Sequence, residues 1–198
     1  MHPLTCNMNI AVLGVGNELA ADDGVGVHIV RSLRSLIPDT HVSCLESQRG
    51  GMDILEQLEG FEQAFVIDAA CSRLNPPGTI SRFAIRAPFA QTSSTSLHTI
   101  SLDAVLSLGA LAGMHVPDQV ILYTIEVADI ETFGAGCTER VRAAMPEVLK
   151  RLKREILSIL PDARCSPQME DLTLLPLGSE GDDNGDSKER SRRNLWGH

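Results

Sequence analysis

Asp23, Asp68 and His98 are the side chains of this sequence whose types and positions best suit chemistry. Two carboxylates and an imidazole make a mixed oxygen and nitrogen donor set. Such a set suits a borderline divalent ion, Ni²⁺ or Zn²⁺, and leaves positions open for water or substrate. An ion held there could polarise a carbonyl or lower the pKa of a bound water. One of the carboxylates could instead act as general base. Donor types alone choose neither the ion nor the route.

Plainer roles compete for each residue. Asp22 or Asp23 can cap the helix that follows, and Asp22 suits a cap better than a ligand. Asp68 could simply form a turn at a strand end, although an acid directly after a buried apolar run is costly without a partner. His98 alone fits a surface or cap position. Cys71 reads as a small buried thiol rather than a soft ligand. No Ser or Cys sits in a recognisable nucleophile motif, which disfavours a covalent route.

Alternating strands and helices must position these residues. Asn9–Val15 is a short apolar run ending in glycines, a buried parallel strand. A helix over Gly24–Ile37 follows, stopped by Pro38. His41–Glu46 and Gln63–Asp68 read as the second and third strands, with the Met52–Gly60 helix between them. Thr79–Ile85 alternates like an edge strand, Ile100–Gly113 is helical, and Gln119–Glu126 is the last strand. Glu139–Leu160 is a long amphipathic helix in which Pro146 marks a kink or the true start. The order predicts a three-layer α/β fold: a twisted, mostly parallel five-stranded sheet with helices on both faces, and Thr79–Ile85 as the antiparallel exception. One domain spans residues 8–160, after a short extension (1–7) and before a charged, glycine-rich tail (161–198) expected to be disordered. In open α/β sheets ligands bind beyond the carboxyl ends of the strands. Loops there bring Asn17, Asp22, Asp23, Glu46, Asp68 and His98 toward one crevice.

Composition narrows the class of partner. The 198 residues carry a net charge of -9 and only 4% aromatics, which argues against nucleic acid. The five cysteines form no CxxC pair and suit a reducing compartment. The start lacks a signal-peptide pattern and no apolar run reaches membrane-spanning length, so cytoplasmic residence is expected, with no membrane partner. Gly14-Val15-Gly16 hints at a dinucleotide loop, and Glu46 at a ribose-binding acid. Leu19 replaces the third glycine, and Asp22 and Asp23 would face a pyrophosphate.

The stretch Gly14-Val15-Gly16-Asn17, four variable positions, then Asp22-Asp23-Gly24-Val25-Gly26 resembles the N-terminal signature of hydrogenase maturation endopeptidases. Asp68-Ala69-Ala70 with Pro77-Gly78, His98 before Ser101-Leu102, and Ile125-Glu126 with Phe133-Gly134 resemble the later elements of that family, in order. The resemblance covers about residues 8–158. It implies a twisted five-stranded sheet between helix layers and nickel contact through Asp23, Asp68 and His98. It also implies a substrate, the nickel-loaded precursor of a [NiFe] hydrogenase large subunit, cut once to release its C-terminal extension. The nickel would arrive with the substrate. Where many members carry an Asp-Gly-Gly-Thr-like element, this chain has Glu46-Ser47-Gln48-Arg49-Gly50-Gly51. Asn17, Glu46, Gly50 and Gly51 are the residues expected to recognise the precursor. The rival readings are a Rossmann-like nucleotide-binding oxidoreductase and a non-catalytic nickel-dependent chaperone.

Overall fold

Strand β1 (Ile10–Val15) is an interior strand of the sheet and is buried along its whole length. A 3-10 turn (Ala21–Gly24) leads from it into α1 (Val25–Arg34). There follow β2 (Val42–Ser47), α2 (Met52–Leu58), β3 (Gln63–Ala70), β4 (Ile80–Arg86), α3 (Leu102–Leu111), β5 (Gln119–Glu126) and α4 (Glu139–Ile159). The computed structural model describes residues 8–38, 40–87, 102–134 and 136–160. His98, the 1–7 extension and the 161–198 tail lie outside the described residues.

The five strands form one sheet in the order β2-β1-β3-β5-β4. Pairs β1–β2, β1–β3 and β3–β5 are parallel, and β4 runs antiparallel to β5 at the edge. Side chains alternate across the sheet, so each strand feeds two cores. One core joins Val12, Phe65, Ile67, Tyr123 and Ile125 to Ile29 and Leu33 of α1 and Val148 and Leu152 of α4. The other joins Leu13, Val66 and Leu122 to Ile54 and Leu58 of α2 and Leu102 and Leu106 of α3. Apolar burial on both faces explains why β1, β3 and β5 read as continuous apolar runs rather than alternating ones.

Two expected boundaries shift for physical reasons, and the expected start of α4 holds. α1 starts at Val25 and ends at Arg34, short of Ile37, because a turn intervenes before Pro38. β3 continues two residues past Asp68, since Asp68, Ala69 and Ala70 pair with Thr124, Ile125 and Glu126 of β5. Asp68 is therefore a strand residue, not a strand-end turn former. Pro146 neither starts nor ends α4, which begins seven residues earlier at Glu139 and runs on to Ile159.

Glycines let α1 sit almost on the sheet. A Cβ on Gly26 would lie 2.3 Å from the Ile67 carbonyl oxygen and 2.5 Å from that of Val15. One on Gly16, where φ is +132°, would lie 1.9 Å from the Asp23 carbonyl oxygen. The glycine spacing of the first loop is thus consumed by backbone contact between α1, β1 and β3. That accounts for the GxG pattern without a nucleotide.

Candidate active site

The carboxyl edge of the parallel strands is where the sequence places its acids, and the first loop there is tightly tied. Asn17 organises it: its side-chain Oδ1 accepts the Leu19 N–H (3.0 Å), and its carbonyl accepts the Ala20 N–H (3.0 Å). This local bonding is typical of asparagine in turns. The Asn17 N–H in turn donates to Asp23 Oδ2 at 2.7 Å. Asp23 is half-buried, and that bond points one oxygen inward while Oδ1 has no hydrogen-bond partner among the described residues.

Asp68 lies on the neighbouring strand at the same edge. β1 and β3 pair in parallel up to Gly14 and Ile67, so Asp68 stands one residue past the last paired position. It is 3% exposed. Alternation along β3 aims it at the face covered by α2 and α3, together with its register partner Thr124, which is 6% exposed. The first turn of α3 begins at Leu102 on that face, four residues after His98. Asp23 approaches from the opposite side, at the entry to α1. The structure thus brings Asp23 and Asp68 to one edge of adjacent strands. His98 lies outside the described residues. Among those residues no three His, Cys, Asp or Glu side chains form a metal-binding group.

Asp22 has another role than the expected helix cap. Neither Asp22 nor Asp23 bonds to the first turn of α1. Asp22, fully buried, instead accepts the Ala128 N–H (3.0 Å), the Asp129 N–H (3.1 Å), the Thr138 N–H (2.6 Å) and the Thr138 hydroxyl (3.1 Å). Four donors and the positive end of α4 hold this charge in place of a cation. The clamp ties the loop carrying Asp23 to the segment after β5. Ala21, just before it, is held at φ +42°, an uncommon conformation for a residue with a Cβ.

Glu46 is engaged at the end of β2. Arg31 of α1 donates to it from Nε (3.0 Å) and Nη2 (2.9 Å), and Arg34 adds a third bond at 3.1 Å. Arg31 also pairs with Glu18 of the first loop. The arginine holds the Glu18 carboxyl below its usual range. Glu46 therefore braces loop and helix, and a ribose would have to compete with two guanidinium groups. Gly51 stands at φ +69° and ψ -128° immediately before α2, a backbone state that favours glycine, and its carbonyl accepts the Ile54 N–H. Gly50 beside it is half-buried.

Two further buried acids stand at this edge, Glu126 within a motif the sequence offers and Asp103 outside any. Glu126, at the end of β5, accepts the Ser72 hydroxyl and the Arg73 N–H, both at 2.7 Å, and so orders the loop after β3. Asp103 is 1% exposed in the first turn of α3, where the helix dipole favours an anion. Two cavities open on this edge. One of about 260 Å³ lies by Gly16, Glu18, Arg31 and Glu46. The other, of about 500 Å³, lies between Cys71–Pro77 and Glu126–Glu131. The strand order puts them on opposite sides of the β1–β3 pair; the turn after β1 carries Asp23, and β3 carries Asp68.

Fold and site together define a three-layer α/β protein with several acidic residues gathered at the carboxyl ends of its parallel strands. The sequence profile described as hydrogenase maturation protease matches residues 27–155. The hydrogenase 2 maturation protease of Escherichia coli (strain K12) is 32% identical over 161 residues, covering 78% of this chain and 96% of that protein. The hydrogenase expression/formation protein HupM of Azotobacter chroococcum mcd 1 is 32% identical over 145 residues, 71% of this chain and 68% of that protein. Among solved structures, an endopeptidase from Escherichia coli superposes with a TM-score of 0.64 at 30% identity, covering 76% of this chain and 93% of that one. The hydrogenase maturating endopeptidase HybD from Escherichia coli gives 0.60 at 28% identity with the same coverage. This chain belongs to the hydrogenase maturation protease family. It is accordingly a hydrolase that acts on peptide bonds, and neither the oxidoreductase nor the chaperone reading is favoured.

Proposed function

We propose that this protein removes the C-terminal extension of a [NiFe] hydrogenase large-subunit precursor, and that nickel already inserted in the precursor licenses the cut. The observation that carries this reading is the pair Asp23 and Asp68. In a chain of this family Asp23 sits in the turn that leads from β1 to α1 and Asp68 on the neighbouring strand β3, both at the carboxyl edge of the sheet, one half-buried and anchored, the other deeply buried. Hard carboxylate donors with a histidine suit nickel as well as zinc, so the donor chemistry fits the proposed trio of Asp23, Asp68 and His98.

In this reading nickel belongs to the substrate and serves as a completion signal. Asp23 is oriented by the Asn17 N–H and keeps Oδ1 for the incoming ion. Asp68 supplies the second carboxylate from the sheet, and His98 the imidazole. The precursor backbone runs along the carboxyl edge, between the two cavities. Water adds to the scissile carbonyl, the C–N bond breaks, and the proton lost by the water reaches the leaving amine. The water is activated by the substrate's nickel or by one of the two carboxylates. Asn17, Glu46, Gly50 and Gly51 shape the walls that recognise the precursor. The processing takes place in the cytoplasm.

The test compares a nickel-loaded precursor with its metal-free counterpart, read by intact mass. Loss of the extension from the loaded form alone is expected. Equal cleavage of both would remove nickel from the recognition step while leaving the protease reading intact.

A further inference from the structure

Leu19 and Phe133 are exposed apolar side chains (51% and 76%) on two segments that are fastened together. Ala20 and Phe133 form an antiparallel β-bridge. The Gly134 N–H donates to the Leu19 carbonyl at 2.8 Å, and the Asp22 N–H to that of Asp129 at 2.8 Å. The carboxylate of Asp22 then fixes the base of this ribbon through Ala128 and Asp129. Among the described residues Leu74, 80% exposed, stands on the Cys71–Pro77 loop across the 500 Å³ cavity from the ribbon's end, whereas Leu111 lies at the far end of α3. An aromatic and a leucine left in water on a braced ribbon, four residues from Asp23 at the nearer point, call for a partner. Rigid presentation lowers the ordering cost of binding one, and aromatic residues are preferred anchors at interfaces.

Charge indicates what kind of partner. Asp129 and Glu131 lie along the ribbon next to Phe133, whereas the Glu18 carboxylate beside Leu19 is already paired with Arg31. The Thr132 hydroxyl and nearby backbone N–H groups hold the Asp129 carboxyl below its usual range. The 500 Å³ cavity begins where the ribbon ends, at Ile130 and Glu131, and among the described residues Arg73 is its one basic lining residue. We infer that the ribbon of residues 17–20 and 131–134 is a docking surface for an extended segment of the precursor polypeptide that carries an apolar side chain beside basic ones. This inference rests on the protease reading above and adds a contact surface outside the proposed metal-binding trio.

Steady-state cleavage of a nickel-loaded precursor by the full chain tests it, with variants Leu19→Ser, Phe133→Ser, Glu131→Lys and, as control, Leu111→Ser. The first two side chains are exposed, so these variants should fold. Removal of an interface anchor raises KM by about fivefold or more, with kcat within about twofold because uniform binding is what is lost. Glu131→Lys raises KM in the same direction, and added salt raises KM for the wild type. Leu111→Ser matches the wild type. Wild-type KM in both Leu19→Ser and Phe133→Ser would overturn the inference. A second measurement, precursor affinity by calorimetry, separates the two readings. If the wild type binds the precursor without cutting it, the protease reading fails, and equal affinity for Phe133→Ser would overturn the ribbon as well.

Discussion

The carboxylate of Asp22 accepts the backbone N–H of Thr138 at 2.6 Å across 116 residues of sequence. Three further donors complete its shell, so this buried anion is the joint between the first loop and the start of α4. Asp22→Asn would turn an amide N–H₂ toward at least one of those donors. Charge-assisted bonds of this kind contribute roughly 1.5–3 kcal/mol each, and a buried donor left unmet costs about 1–3 kcal/mol. Urea unfolding should show a loss of about 2–4 kcal/mol for Asp22→Asn. Thr138→Val, which keeps the N–H bond and removes only the hydroxyl, should lose about 1 kcal/mol. Equal stability of Asp22→Asn and wild type would contradict the joint.

Asp23 should behave in the opposite way. Its one hydrogen bond among the described residues, from the Asn17 N–H, can be accepted equally well by the carbonyl of an asparagine. Asp23→Asn should therefore unfold within about 0.5 kcal/mol of wild type, as surface changes usually do. Cleavage of the nickel-loaded precursor should fall at least about 100-fold, the size of effect typical of a lost acid or base. The pair Asp22→Asn and Asp23→Asn thus separates holding from chemistry at adjacent positions. Full activity in Asp23→Asn would take that residue out of the proposed site.

Much of this was legible in the sequence, and the gaps have physical causes. The strand over Gln119–Glu126 and the antiparallel edge strand followed from runs of β-branched residues and their alternation. The positions of Asp23 and Asp68 followed from the rule that such loops gather at the carboxyl edge. What local pattern could not give was partnership. Asp22 looks like a helix cap because its donors, Ala128, Asp129 and Thr138, are more than a hundred residues away. Glu46 looks like a ribose acid because nothing local tells that Arg31 and Arg34 reach it from α1. Asp68 seemed to end its strand because the pairing that extends β3 comes from β5.

The brace on the far side of the sheet should govern pH stability. The Tyr123 hydroxyl donates to Glu155 Oε1 at 2.6 Å, and Arg82 forks onto the same carboxylate at 2.8–3.2 Å. Arg82, then Tyr123, hold the Glu155 carboxyl below its usual value. A depressed carboxylate adds stability above its unfolded pKa, and that stability is lost as pH falls through the folded value. Burial first, and then the bond to Glu155, push the Tyr123 phenol up to about 12. A raised phenol stabilises below its unfolded pKa near 10, and the contribution fades as pH climbs toward the folded value. Glu155→Gln should lose about 1 kcal/mol at neutral pH, since the pair is partly solvent-screened, and match wild type in acid. Tyr123→Phe should lose about 1 kcal/mol at neutral pH and show a weaker decline in stability above pH 10. Denaturant midpoints across the pH range check both.

The sharpest structural prediction concerns Gly26. The first turn of α1 passes so close to the sheet that one methyl group has nowhere to go. Its carbon would sit 2.3 Å from the Ile67 oxygen and 2.5 Å from the Val15 oxygen, and both obstacles are backbone of central strands. Neither can swing aside as a side chain would, so Gly26→Ala must push α1 off β1 and β3. Overpacking of this kind costs typically 1–3 kcal/mol and more where the backbone itself must move. A loss of at least about 3 kcal/mol, or failure to fold, is expected. Gly113→Ala is an instructive contrast, because open space surrounds that position. Gly113 has φ +80°, so alanine there pays only a local strain of about 1–3 kcal/mol without moving any neighbour. If Gly26→Ala does fold, its effect should reach the site, since Ile67 immediately precedes Asp68 and α1 begins two residues after Asp23. Cleavage should then fall in Gly26→Ala and persist in Gly113→Ala at temperatures where both are folded. A nucleotide-binding loop would show a different pattern, with nucleotide affinity rather than the α1–sheet contact tracking the substitution.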